Sequence, residues 1–470
     1  MLALSLLPFA MAAAIIAIGR PTQSNLKLLA VLLPLEAFAS IEAGFTIPLS
    51  YLLLVTILLA TFLRGESWPA GYPGCKLILI YWGVVIVSTA IAAVGPSLGV
   101  FQIDENMTTR AGLLRNPLQV ALIIFHFSLY FIIVGNVKTA PDADSLLKVH
   151  LWMGFILICL GLYQVAAFAL NLPFKDITWS INPFGTATLW NYGEVRYYTA
   201  RVTNFSPRAT FAESLHFAYY LVSVVPISFA LWVSRSGELR QRFAIVSSPI
   251  PAILGAVVLF LTMSRSGWVA LALSLVIVAL WLSPRLLFVH IPVATVAAGL
   301  ATLLLAKTGF FAISSNSLMS IVGSRMNAAD IVMDPRMSYL GVLWDIFRSH
   351  PILGVGAGNY GPLAASSIGL STLLSAHGLL WAALAEFGII GFMLLGLIFV
   401  KILWRLQGSI RAIKRSPRQA VMIGIFASLC GVIFQSFFLG DRPPFHLIFL
   451  LGLAAVYSSR DVEKNDLIAT

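Results

Sequence analysis

Long apolar runs alternate with short polar connectors along the whole chain, and most runs approach the roughly 20 residues that a bilayer crossing needs. They fall at 2–19, 26–41, 46–63, 76–94, 118–136, 150–171, 210–233, 249–263, 267–282, 287–306, 378–403, 419–439 and 445–458. The pattern predicts an all-α, polytopic transmembrane helical bundle of about thirteen spans, or about twelve if two of the first three form a broken or re-entrant element. The runs are continuous and lack the period-2 alternation of membrane strands, which argues against a β-barrel. The first run has no preceding Lys or Arg and no small-residue cleavage site, so it is expected to be a span and not a removed signal. The eighth, ninth and last runs are short for a full crossing.

Composition agrees with a single membrane domain over 1–470: 59% of the residues are hydrophobic, 10% are charged, and the mean hydropathy is +0.91. The net charge of +11 would suggest nucleic acid in a soluble protein, but here the positive-inside bias accounts for much of it. No nucleic-acid partner is expected. The cysteines Cys75, Cys159 and Cys430 lie in or beside apolar runs without metal spacing and are expected to be packing residues.

Orientation follows from the short basic connectors. Arg405, Arg411, Lys414, Arg415 and Arg418 lie in 404–418 with no acid, and Arg235, Arg240 and Arg242 lie in 234–248. Both segments should be cytosolic, and the even number of spans between them makes the two assignments agree. Loop 172–209, the turn at Ser264–Ser266 and the long loop 307–377 then face outward. A connector as long as 307–377 is rarely idle. Its WDIF and PILGVGAGNYGP segments predict short helices lying over the spans.

Chemistry concentrates on that outer side. Arg265 sits in the shortest outer turn, MSRSGW, where a guanidinium near hydrocarbon costs a few kcal/mol and requires an anion or hydrogen-bond partner. The bland alternative is an arginine snorkelling to lipid head groups. Arg196, Arg201 and Arg208 lie in VRYYTARVTNFSPRATF, interleaved with Tyr198 and other polar and aromatic residues. Guanidinium forks pair bidentately with phosphate oxygens, and Trp179, Trp190, Tyr192, Tyr197 and Tyr198 offer faces for a glycan. The alternative there is an ordinary interfacial aromatic belt. His377 enters the top of an apolar run; its imidazole, with an ordinary pKa of about 6.5, can take a proton from a hydroxyl or can simply cap a helix.

Glu386, on a straight helix, would lie about 13 Å deeper than His377 and out of phase with it, so a packing role or a partner on another span is expected. Glu213 and His216 share a helix face one turn apart. Gly356, Gly358 and Gly361 fit G-x-G-x-x-G, but no strand precedes them and Pro362 follows, so they are expected to shape a tight loop and not to bind a dinucleotide. No carboxylates show metal-ligand spacing, so neither metal nor cofactor is expected.

The ordered motifs ARVTNFSPRATFAESL, SRSGWVALAL, DPRMSYLGVLWDIF, PILGVGAGNYG and AHGLLWAALAEFGIIG, from about Arg201 to Gly391, resemble the bacterial O-antigen ligase and O-antigen polymerase superfamily. The resemblance implies a GT-C-like inner-membrane glycosyltransferase that moves a glycan from undecaprenyl diphosphate to an acceptor hydroxyl at the periplasmic face, with inversion and without a metal. The acceptor would be lipid A-core for a ligase or a growing glycan for a polymerase; a lipid-linked glycan flippase is the competing class. By the same resemblance Arg201 and Arg265 would hold the diphosphate, His377 would activate the acceptor, and Arg336 matches an arginine of the pattern. Arg208, Arg196 and Tyr198 join the substrate-binding candidates. The chain departs from the family pattern at Gly378, where Asn is usual, and in the TNFSPRAT turn.

Overall fold

A computed structural model describes residues 22–35, 40–42, 46–64, 71–94, 110–170, 172–174, 206–211, 213–234, 236–284, 335–367, 376, 378–413 and 416–459. The architecture is helical. In chain order the helices are α1 (Thr22–Leu32), α2 (Leu49–Leu63), α3 (Cys75–Val94), α4 (Arg110–Asn136), α5 (Ala140–Ala169), α6 (Ser214–Val233) and α7 (Gly237–Phe243). Then come α8 (Pro249–Leu261), α9 (Arg265–Leu282), α10 (Pro335–Ser349), α11 (Tyr360–Ser367), α12 (Leu379–Ala412), α13 (Pro417–Gln435) and α14 (Phe445–Tyr457). Among the described residues eight helical segments are long and apolar enough to cross a membrane, with α2 and α14 shorter apolar helices beside them. The expected spans 2–19 and 287–306 lie outside the described residues.

The run 26–41 does not form one crossing. Pro34 cannot continue an α-helix, so α1 ends at Leu32 in a short 3₁₀ turn, Leu33–Leu35, and the backbone then forms a small antiparallel ladder pairing Ser40–Glu42 with Thr46–Pro48. At 1.5 Å per residue α1 extends only about 16 Å, half of a hydrocarbon core. Among the described residues the run is therefore broken and not one continuous helix.

Helices α6 and α13 form the centre, with α9, α8 and α14 against them. Close approach depends on small residues: a Cβ on Gly424 of α13 would meet the Ile227 Cα of α6 at 2.8 Å, and one on Gly431 would meet the Ser274 Oγ of α9 at 2.1 Å. In lipid, where no hydrophobic force drives helices together, such contacts supply the packing energy. The apolar side chains left outside, such as Leu79, Ile80, Val87 and Ile91 on α3, face outward as a lipid-exposed surface should.

Every residue of α14 is buried. Its roughly 20 Å length is tolerable because protein, not lipid, surrounds it, and polar groups meet both ends. At its start the Nδ1–H of His126 on α4 donates to the Pro443 carbonyl at 2.7 Å, since that oxygen can only accept. At its far end the Tyr457 hydroxyl donates to Asp144 of α5, which also pairs with Arg242 of α7. Glu238 takes the second guanidinium nitrogen of Arg242 at 2.9 Å. Asp144→Ala would leave a guanidinium and a phenol without this shared acceptor. Breaking a buried pair costs ~3–5 kcal/mol, and because a third of the Arg242 side chain remains exposed, a loss near the lower figure is expected. A clear drop in thermal unfolding temperature in detergent checks it; an unchanged melt would show that the cluster contributes nothing.

Candidate functional site

The turn that joins α8 to α9 carries Arg265. Thr262 caps the end of α8 through its hydroxyl on the Leu259 carbonyl (2.6 Å), and Ser264 caps α9 by accepting the Gly267 N–H (3.2 Å). Between them Met263 has φ 56, a left-handed conformation that costs energy for a side chain of this size. Trp268 folds back over the turn, stacked on Phe260 at 4.9 Å and donating to its carbonyl at 3.1 Å. The result is a rigid turn that presents Arg265 as the first residue of α9.

A cation at that position opposes the helix dipole, whose N-terminus is already positive. The Arg265 Nε is buried and has no hydrogen-bond partner among the described residues. Guanidinium and helix N-terminus thus place two positive groups together, and the described protein groups supply no acceptor for the buried Nε.

Arg208 is reached from the other side of the same bundle end. The Gln164 side-chain carbonyl near the end of α5 accepts the N–H groups of Arg208 (3.0 Å) and Ala209 (2.7 Å), and Ala209 has φ 48. Thr210 then donates to the Pro34 carbonyl at 2.7 Å. Arg208 is buried, and the segment feeds directly into α6. Of the four described non-glycine residues with positive φ, two adjoin arginine-bearing segments at this end, Ala209 beside Arg208 and Met263 two residues before Arg265. Strain of this kind persists only where the surroundings impose it. Glu213 and His216 stand 3.9 Å apart at the head of α6, as their spacing suggested.

Glu386 has a partner, and it is not one the straight-helix picture foresaw. Helix α12 breaks at Gly388, which has φ 62 and ψ −164. The non-helical torsions of Gly388 fall within three helical rungs, those from the N–H groups of Ile389, Ile390 and Gly391 to the carbonyls of Ala385, Glu386 and Phe387. Segment 351–356 supplies partners for the first two. Val355 and Gly356 donate to the carbonyls of Ala385 (3.0 Å) and Glu386 (2.8 Å), while Ile389 and Ile390 donate to Pro351 (2.8 Å) and Ile352 (3.4 Å). Four of the backbone groups at the kink are thus paired again, which keeps polar backbone satisfied in an apolar bundle.

Only glycine permits this approach at two places. A Cβ on Gly388 would lie 2.3 Å from the Ile352 oxygen, and one on Gly354 (φ 67) would lie 2.4 Å from the Glu386 carbonyl carbon. The PILGVGAGN stretch is therefore a glycine-turned insert and not a helix over the spans; of the helices expected in the long loop, α10 and α11 form on either side of it. Ser88 and Thr89 of α3 hold the insert from behind, Ser88 sharing its hydroxyl between the carbonyls of Leu353 (2.5 Å) and Glu386 (3.0 Å), and Thr89 accepting the Ala357 N–H at 3.0 Å.

The Glu386 carboxylate completes the arrangement. One oxygen accepts the Gly358 N–H at 2.8 Å and the other accepts Nη1 of Arg442 at 2.8 Å. Arg442 lies in the connector between α13 and α14 and also donates through Nε to the Gln119 side chain of α4 at 2.9 Å. Burial is the largest influence and would loosen the Arg442 proton, but Glu386, Asp441 and Tyr81 together outweigh it and hold the guanidinium above its ordinary value. Sequence reading missed Arg442. The signal was present in DRPP, an arginine in a short connector on the side assigned to Arg265, to which the same desolvation argument applies.

His377, Arg201, Arg196 and Tyr198 lie outside the described residues. Arg336 is the second residue of α10, with its side chain outside the described set. The structure thus gives geometry to Arg265 and Arg208 at one end of the bundle, and to the helix that begins two residues after His377. That helix is anchored at its start, where the Leu379 N–H meets the Ser436 carbonyl at 2.7 Å and Trp381 lies against Phe437.

A family model described as O-antigen ligase, Wzy_C, matches residues 250–396. The matched stretch runs from α8 past the Gly388 kink and contains Arg265, Arg336, His377 and Glu386, while the arginine loop before α6 and the connector with Arg442 lie beyond it. No curated protein matches the chain.

Proposed function

Starting from a chain that carries an O-antigen ligase domain within a multi-pass helical bundle, we propose that it transfers a glycan from undecaprenyl diphosphate to an acceptor hydroxyl at the periplasmic face of the inner membrane. Lipid A-core is the proposed acceptor. The observation that carries the reading is Arg265, a guanidinium at a helix N-terminus with a buried nitrogen that no described protein group satisfies. A lipid-linked diphosphate supplies the missing charge.

In this mechanism the acceptor oxygen attacks the anomeric carbon from the face opposite the diphosphate, which gives inversion. His377 takes the hydroxyl proton as the new C–O bond forms. The bond to the diphosphate breaks, and the carrier leaves with the negative charge. Arg265 and Arg201 stabilise that departing charge, the task a divalent ion performs in other glycosyl transfers. Arg208, Arg196, Arg336 and Tyr198 line the substrate path, with Tyr198 offering a ring to a sugar face and the arginines orienting phosphate.

Deleting the protein and separating the surface glycans on a gel tests the assignment. Unmodified lipid A-core with polymer retained on the carrier is expected. Single repeats attached to the core would assign polymerisation of the same donor instead, and an unchanged ladder would remove both.

The orientation has its own check. In a chain whose own three cysteines are replaced by alanine, new cysteines at Tyr192 and Ser349 should react with an impermeant thiol reagent from the periplasm. Cysteines at the exposed positions Gly237 and Gly408 should react only after the membrane is opened. The reverse pattern would invert the topology and move Arg265 and His377 away from the proposed donor.

A further inference from the structure

The helix segment 379–387 is a short rod, about 13 Å long, that ends at the Gly388 break. Because it is no longer continuous with the rest of α12, its direction is set by what holds its two ends. Both are held by the same connector. At the start, the Ser436 carbonyl takes the Leu379 N–H, and a side chain at Gly378 would lie 2.5 Å from the Phe437 carbonyl oxygen. At the other end Arg442 pairs with Glu386, which in turn fixes the glycine insert through Gly358. Gln119 ties Arg442 to α4, and His126 ties the following Pro443 to the same helix.

We propose that the Glu386–Arg442 pair, braced by Gln119, is a positioning clamp that aims the rod bearing His377 at its N-terminus, so that the imidazole meets the acceptor hydroxyl. This rests on the general-base reading of His377. The pair itself touches neither substrate nor reacting atoms. Its carboxylate is 5% exposed and already engaged by Gly358 and Arg442, which leaves it no part as a second proton acceptor. A buried ion pair that merely stabilised the bundle could be exchanged for packed apolar side chains without loss. Here Glu386 instead ties the rod to the glycine insert through Gly358 and to the connector through Arg442, which Gln119 in turn ties to α4.

The test measures transfer by full-length purified protein with a carrier-linked glycan donor and a lipid A-core acceptor, per monodisperse folded molecule. Glu386→Gln keeps an acceptor for the Gly358 N–H, and Arg442→Lys keeps the charge. Both are expected to lower kcat roughly 10- to 100-fold, as a small misplacement of a catalytic group does, with the donor KM unchanged. Gln119→Ala, which removes only the brace, is a milder variant should the others fail to fold, and is expected to lower kcat several-fold.

The decisive arm repeats each substitution in the His377→Ala background. There a clamp acting through His377 has nothing left to aim, and the second change should alter the residual rate by less than about 2-fold. Losses that persist undiminished without His377, or folded variants that keep the wild-type kcat, would overturn the clamp. If His377→Ala alone transfers at the wild-type rate, the general-base reading fails first, and the clamp with it. A clamp failure beside an inactive His377→Ala leaves that reading intact.

Discussion

His377→Ala is expected to lower transfer roughly 10²-fold or more while donor binding survives, because a general base contributes about that much and the arginines that hold the diphosphate remain. The pH profile separates this from a capping role. The neutral imidazole is the competent form, so transfer should fall as pH drops through the histidine pKa and level off above it. A cap that only finishes a helix gives no acid limb unless the protein unfolds, and the thermal melt across the same pH range reports that. The measurement is the rate for wild type and variant across pH, with chelator present throughout. A near wild-type rate in the variant removes the base. Strict dependence on an added divalent ion removes the guanidinium-only mechanism.

Arg265→Ala is expected to abolish detectable transfer. Removing one preorganised donor from a developing anion typically costs ~10²–10³ in rate, and here the loss should be greater, since donor binding weakens as well. Arg265→Lys should recover only part, because an ammonium is a point charge and cannot form the two-pronged contact of a guanidinium. The rigid turn around the residue strengthens this expectation. With Ser264 and Trp268 fixing the backbone, a shorter reach or a changed donor geometry cannot be absorbed by movement of the turn. Both variants should remain folded, since the side chain leaves the described Nε without an internal partner to lose. Full activity in either variant with normal expression would reduce Arg265 to an anchor in the head groups.

Much of the helical framework was legible in hydropathy alone. The runs that became α3, α5, α6, α9, α12 and α13 are long, apolar and bounded by polar connectors, and one dimension suffices to find them. Arg265 was legible too, because a cation squeezed between two apolar runs is anomalous wherever it occurs. The failures share a cause. The run 26–41 is predominantly apolar despite Lys27, Glu36 and Ser40, so averaged hydropathy did not show that Pro34 and the Ser40–Glu42 pairing divide it.

The Gly388 break was hidden in the same way. AEFGIIG is an ordinary membrane-helix sequence, and what makes the kink affordable is a segment some 30 residues earlier that supplies two donors and two acceptors. The Glu386–Arg442 pair is separated by 56 positions. Pairings across such distances are settled by tertiary packing, which no periodicity encodes. Arg442 was nonetheless findable by the reasoning applied to Arg265.

The complete enclosure of α14 bears on how the molecule is assembled. This helix follows every other described helix in the chain, so it emerges from the ribosome after its neighbours and must enter a site they have already outlined. Until it does, its neighbours lack the apolar surface it buries, and Asp144 lacks the Tyr457 hydroxyl. Insertion of α14 would therefore close this buried site, and a nascent chain halted short of it should be recognisable as unfinished to membrane proteases.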